Sequence, residues 1–203
     1  MMPSDIIGLY GRSHMSLLRR DVMGLIAGVV AAPGFIISAG AQSRANAYGF
    51  SFDQPGGRRL ALSAYRGRPI LIVNTATQCG FAGQFATLQQ LWQRYSGRGL
   101  MLIAVPSNDF GGQEPLEGQA IAEAALQNYG ATYAFAEKCS VRGSNAHPFY
   151  RWAAAQRPAE TPSWNFHKYL VGRDGELVGG FSSGTDPIGP QLVRAIGQEL
   201  QAT

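Results

Sequence analysis

The sequence predicts an α/β fold, a central mixed sheet with helices on both faces, and three observations lead to it. "ILIVNTA" (70–76) and "LMLIAVP" (100–106) are unbroken apolar runs of strand length, the pattern of strands buried on both sides. Between them Phe85, Leu88, Leu91, Trp92 and Tyr95 recur at helical spacing, which makes the stretch a βαβ unit with parallel strands. Further on, "NFHKYLVGRDGELVGGF" reads as a hairpin turning at Asp174-Gly175.

The other elements fall around these. "GFSFDQPGGRRLALSAYRGRP" starts with alternating apolar residues and holds a Pro-Gly-Gly turn, so it is a hairpin or an edge strand with a turn. The helix beginning at Gln84 stops at Gly97 and Gly99. "SNDFGGQEP" is a loop, "LEGQAIAEAALQNYG" a helix, "TYAFAEKCSV" a strand and "NAHPFYRWAAAQ" a helix. "DPIGPQLVRAIGQEL" closes the chain as a helix, with Asp186 as N-cap and Pro187 just inside. This order describes a thioredoxin-like sheet.

Composition narrows the function. A chain of 203 residues, 45% hydrophobic and 15% charged, suits one globular domain with a sizeable core. The net charge is +4, and no basic block recurs with aromatics between, so nucleic acid is not an expected partner. The two cysteines, Cys79 and Cys139, are too few for a disulfide scaffold and too far apart for a zinc pattern.

Residues 1–47 differ in kind. Arg19 and Arg20 precede an apolar stretch from Val22 to Ile37, followed by small residues, the layout of a twin-arginine-like export signal. Ala39-Gly40-Ala41 and Ala45-Asn46-Ala47 are candidate cleavage sites, and Met15 is an alternative start. An uncut anchor is the other reading. The apolar core is short against the ~20 residues of a membrane span, and Gly24, Gly28, Pro33 and Gly34 weaken it as a helix. The expectation is therefore a cleaved signal (1–47), a single thioredoxin-like domain (48–203), periplasmic residence and no stable membrane span after cleavage. Arg12, Arg19, Arg20 and Arg44 leave with the signal, against only Asp5 and Asp21, so the remainder is nearly neutral.

Cys79 carries the chemistry. It follows the first buried parallel strand and precedes the helix, at the sheet edge where reacting groups collect. A helix start favours an anion there and lowers a thiol's pKa. The plainer reading is a small buried apolar residue, but the polar neighbours Thr77 and Gln78 speak for an accessible thiol.

"NTATQCGF", "SNDFGGQEP", "GSNAHPFYRW" and "WNFHKYLVGRDGELV", in this order, resemble the signature blocks of the glutathione peroxidase family over roughly Phe50 to Leu200. The resemblance implies reduction of hydrogen peroxide or of organic and lipid hydroperoxides, in oxidative-stress defence. It implies Cys79 as peroxidatic residue, with Gln113, Trp164 and Asn165 as its polar partners. It also implies no metal and no prosthetic cofactor, only an external thiol reductant, glutathione or a thioredoxin-like protein. The residue types suit that chemistry. Two amides and an indole N–H are neutral donors that hold a thiolate and meet the charge developing on the leaving oxygen. A C-x-x-C oxidoreductase would need a cysteine where Ala82 stands, and the peroxiredoxin pattern meets Ile72 and Ala76 in its proline and hydroxyl places.

The chain departs from that pattern in three ways. Ala125 stands where thioredoxin-dependent members resemble one another in a resolving cysteine, and Cys139 is expected to be structural, buried by alternation within its strand. Asp109 in "SNDF" places a charge that would oppose the Cys79 thiolate if close. Only "RPAETPS" precedes Trp164, where tetrameric members carry an insertion, which implies a monomer with an open site. His147, at a helix start, and His167, alternating outward from the hairpin, are expected to be structural. A non-catalytic thioredoxin-like redox sensor or binding domain is the alternative function.

Overall fold

A computed structural model describes residues 46–201; the expected export signal lies almost wholly outside them. Two strands, β1 (Ser51–Asp53) and β2 (Arg59–Ala61), form a small antiparallel sheet of their own, which is the hairpin expected from the Pro-Gly-Gly turn. The main sheet follows. β3 (Ile70–Thr75) leads through α1 (Gln84–Tyr95) to β4 (Met101–Pro106), and α2 (Gln119–Tyr129) leads on to β5 (Ala134–Phe135). After α3 (Pro148–Gln156) come the hairpin strands β6 (Lys168–Val171) and β7 (Leu177–Phe181), and α4 (Pro190–Gln201) ends the described chain.

The strand order is β5-β4-β3-β6-β7. β3 and β4 pair in parallel from Ile70↔Met101 to Thr75↔Pro106, as the βαβ reading requires. β6 enters antiparallel to β3, with Ile70 opposite Val171, so the sheet is mixed. All residues of β3 and β4 are buried, which explains why these segments read as unbroken apolar runs rather than alternating ones.

Alternation still decides which core each side chain joins. Leu71 and Val73 meet Phe85, Leu88 and Leu91 of α1, Ile121 of α2 and Leu192 of α4 on one face. Ile70 and Ile72 meet the β1–β2 sheet and Phe149, Tyr150 and Trp152 of α3 on the other. Helices thus cover both faces of a thioredoxin-like mixed sheet. Among the described residues no helix is long and apolar enough to cross a membrane.

Three local expectations are corrected. The strand expected over "TYAFAEKCSV" is only Ala134–Phe135; the chain beyond keeps single backbone bonds to β4, Ala136 N–H to Ala104 O (2.8 Å) and Cys139 N–H to Pro106 O (3.0 Å), without a regular ladder. Asp186 does not cap α4. Its carboxylate accepts from Ile188 N–H (3.1 Å) in a turn ahead of the helix, and Pro190 opens the helix itself. His167 is 4% exposed rather than turned outward, because β6 is an interior strand covered on both sides.

Candidate active site

The site sits past the carboxyl ends of β3 and β4, where three loops converge. The first runs from Thr75 to α1. Ala82 N–H bonds to Cys79 O (2.8 Å) and Gln84 N–H to Phe81 O (2.8 Å), so a run of tight turns carries the chain into α1. Cys79 therefore stands well ahead of the helix, whose N-cap is Gly83. The donor that meets the sulfur is local: Phe81 N–H reaches Cys79 Sγ at 3.4 Å. Cys79 is also 6% exposed and belongs to the same buried core as Ala76, Ala82 and Phe85, so the accessible thiol read from its polar neighbours is corrected to a nearly buried one. Phe81 beside it is 39% exposed.

The second loop brings Gln113. Gly111 and Gly112 both lie at positive φ (68° and 65°), a succession that residues with a Cβ adopt only at a cost. This reversal folds Gln113 back onto the cysteine turn, where its carbonyl accepts from Gln78 N–H (3.0 Å). Glu114 follows and is fully buried. Its carboxylate accepts from Thr77 N–H (2.9 Å) and Thr77 Oγ1 (2.8 Å).

The third loop brings Trp164 and Asn165. Asn165 is fully buried; its Nδ2 donates to Gln113 Oε1 (3.0 Å) and lies 3.4 Å from Phe110 O. Trp164 is 38% exposed, with its ring 5.9 Å from that of Phe110. The segment is pinned by Asn74 on β3. Asn74 Nδ2 donates to Trp164 O (3.1 Å), Asn74 O accepts from Phe166 N–H (2.6 Å), and Asn74 N–H reaches His167 O (3.2 Å). Phe166 is held at φ 62°, an uncommon conformation for a bulky residue that surrounding structure must impose.

The four sequence-predicted residues are thus carried by converging loops, with Gln113 and Asn165 in direct contact. The hydrogen bonds link Cys79 to Gln113 through the backbone of Gln78, while the sulfur's own donor is Phe81. Asn74, Glu114 and Lys168 escaped the sequence reading. Lys168 is fully buried, with Nζ donating to Gln84 Oε1 (2.6 Å) and Thr185 O (2.7 Å). Burial holds its ammonium down to about 7. The signal for each was a polar residue inside an apolar or glycine-flanked block, "IVNTA", "GGQEP" and "HKYLV".

Asp109 hydrogen-bonds at 140–142 rather than at Cys79. Its Oδ2 accepts from Val141 N–H (2.7 Å), Ser140 Oγ (2.9 Å) and Arg142 N–H (3.1 Å). It acts instead on Cys139, whose thiol is pushed up to about 12, first by burial and then by the Asp109 charge. Cys139 packs against the core on the α3 face, whereas Cys79 belongs to the core on the α1 face. Ala125 is buried in the same core as Cys79. His147 caps α3 through Nδ1, which accepts from Phe149 N–H (3.3 Å), and its ring stacks on Phe52 at 4.3 Å. Among the described residues no cluster of His, Cys, Asp and Glu could hold a metal ion.

Comparison with known proteins bears on the family and the fold. A family model described as glutathione peroxidase matches residues 47–154. The glutathione peroxidase-like peroxiredoxin GPX5 of Chlamydomonas reinhardtii is 36% identical over 154 residues, covering 73% of this chain and 95% of that protein. The hydroperoxy fatty acid reductase gpx1 of Synechocystis is 39% identical over 156 residues, covering 72% and 92%. A crystal structure titled Trgpx in apo form matches with a TM-score of 0.61 and 30% identity, over 77% of this chain and 99% of that one. Fold and relatives together define a thiol peroxidase built on a thioredoxin-like sheet, and they disfavour the non-catalytic alternative. The chain belongs to the glutathione peroxidase family.

Proposed function

We propose that Cys79 is the peroxidatic nucleophile of this peroxidase, with Gln113, Asn165 and Trp164 as the polar groups that serve it. The Cys79 thiolate attacks one peroxide oxygen. The S–O bond forms as the O–O bond breaks, the other oxygen leaves and takes up a proton as water or alcohol, and the sulfur is left as a sulfenic acid. The observation that carries the reading is the Asn165–Gln113 contact at 3.0 Å, made beside the turn that holds the cysteine. By engaging the Gln113 oxygen it orients that amide, so that donors are fixed before charge develops.

Organic hydroperoxides fit the site as well as hydrogen peroxide does. Phe81 and Trp164, both more than a third exposed, offer apolar surface on two of the three loops, and one relative is named for hydroperoxy fatty acids. The reductant is an external thiol, glutathione or a thioredoxin-like protein, and no prosthetic group takes part. The protein works as a monomer. It is exported to the periplasm with loss of residues 1–47, a reading supported by the paired arginines, the apolar core and the two small-residue sites.

The test is steady-state consumption of hydrogen peroxide and of a fatty-acid hydroperoxide by the purified protein, with glutathione and with a thioredoxin-like protein. Turnover with at least one thiol, abolished in Cys79→Ser, is expected. Full turnover by Cys79→Ser would sink the assignment, and a single oxidation without turnover would favour a sensor.

A further inference from the structure

We propose that Glu114 is a positioning residue for the peroxidatic step: its carboxylate clamps the turn that carries Cys79 to the loop that carries Gln113. The inference rests on the peroxidase reading above and concerns a residue which that reading does not use.

Glu114 is fully buried, and a carboxylate is costly to bury unless its oxygens are satisfied. Here they are met from two sides. Oε2 accepts from Thr77 N–H at 2.9 Å. Oε1 accepts from Thr77 Oγ1 at 2.8 Å and from Leu116 N–H at 3.3 Å. The Glu114 backbone is held in turn, its N–H donating to Asn108 Oδ1 (2.9 Å) and its carbonyl accepting from Lys138 Nζ (3.2 Å). Lys138 also pairs with Glu117, so its charge is shared with an exposed acid rather than committed to Glu114.

The consequence is mechanical. Thr77 is next but one to Cys79, and Glu114 is next to Gln113. Together with the Gln78 N–H···O Gln113 bond (3.0 Å), the carboxylate fixes the sulfur-bearing backbone against the backbone of its amide partner. Catalysis by fixed donors depends on such registry, because a small displacement removes much of the benefit. Burial pushes the Glu114 carboxyl above its ordinary range, against the pull of Thr77 first and then of Leu116 and Lys138, which favour its ionised form.

The test uses Glu114→Gln, which keeps the shape but replaces one of the two acceptor oxygens with an NH₂ donor, and the pair Thr77→Val and Thr77→Ser, which removes and then restores the hydroxyl. The rate of Cys79 oxidation by hydrogen peroxide is measured in single turnover, beside alkylation of Cys79 by iodoacetamide, which needs the thiolate but not the amides. Glu114→Gln is expected to slow oxidation by about tenfold or more and to slow alkylation much less. Thr77→Val shifts both rates in the same pattern, and Thr77→Ser restores them. In the double variant with Gln113→Ala, the loss should not exceed that of Gln113→Ala alone, since both remove the same interaction. Unchanged oxidation in folded Glu114→Gln, or losses that multiply in the double variant, would overturn the proposal. If Glu114→Gln fails to fold, Thr77→Val alone and combined with Gln113→Ala decides by the same criteria. Failure of the unaltered chain to reduce peroxide would strike the peroxidase reading itself.

Discussion

Asn165 Nδ2 donates to Gln113 Oε1 at 3.0 Å, joining two loops that lie 52 residues apart in the chain. The bond makes the two amides one unit, so neither can be removed without disturbing the other. Gln113→Ala and Asn165→Ala should each lower the rate constant for peroxide by roughly 10²-fold, the first by removing a donor to the developing oxyanion and the second by releasing that donor's amide. The double variant should lose less than the product of the two. Stopped-flow oxidation of Cys79 measures all three, and independent, multiplying losses would show that the amides act separately.

The catalytic cycle should need one cysteine. Cys139 has its thiol pushed up to about 12, so at neutral pH almost none of it is the attacking thiolate. It also packs on the opposite face of the sheet from Cys79. After one equivalent of peroxide, intact mass with a sulfenic-acid trap should show an adduct on Cys79 that is unchanged in Cys139→Ser. A loss of two mass units with a Cys79–Cys139 link would make Cys139 the resolver.

Asn74 should matter for stability and for rate together. Asn74→Ala removes the Nδ2 bond to Trp164 O while keeping the backbone bonds that hold Phe166 at φ 62°. Loss of one such hydrogen bond costs about 0.5–1.5 kcal/mol. Urea denaturation should show a loss of that order, and peroxide reactivity should fall because Trp164 and Asn165 lose an anchor. A variant with lowered stability but the parent rate would confine Asn74 to folding.

Two buried bases should make stability rise with pH. Burial, aided by the neighbouring Lys168 charge, holds His167 down to about 4 from its ordinary 6.5. Burial holds Lys168 down to about 7 from 10.5. Within each interval the unfolded chain binds the proton that the folded chain does not, so raising the pH favours the folded state. Cys139 works the other way above its ordinary 9.0, because only the unfolded chain then loses that proton. The upper window, pH 7 to 9, belongs to Lys168; the lower, pH 4 to 6.5, is shared by His167 with His147, whose imidazole burial also holds down, and is opposed by Glu114, whose carboxyl burial pushes up, each group contributing a slope of at most about 1.4 kcal/mol per pH unit. Lys168→Met should flatten the upper window and His167→Gln the lower one, in urea titrations at stepped pH. An unaltered upper slope in Lys168→Met would remove Lys168 from the account.

Export should leave a shortened protein. Mass spectrometry of the native form should find an N-terminus near Gln42 or Tyr48, after one of the two small-residue sites. A cytoplasmic protein beginning at Met1 or Met15 would count decisively against the signal.

Most of the elements could be read directly from the chain, because their information is local. Apolar runs marked β3 and β4, helical spacing marked α1, and Asp174-Gly175 marked the β6–β7 turn, with Gly175 at φ 87°. The four signature blocks likewise pointed to Cys79, Gln113, Trp164 and Asn165. What they could not show was where polar groups end up, since a polar residue's partner comes from a distant segment. The pattern around Cys79 suggested exposure, yet the tertiary turn buries the sulfur and brings Phe81 N–H to it. Asp109 looked like a threat to the thiolate, and its carboxylate is taken up by the backbone at 141 and 142. Glu114 and Lys168 looked like ordinary charged residues and are fully buried. Periodicity records which face of an element is apolar; only the packing of loops against one another decides which buried charge finds a partner, and that decision assembles the site.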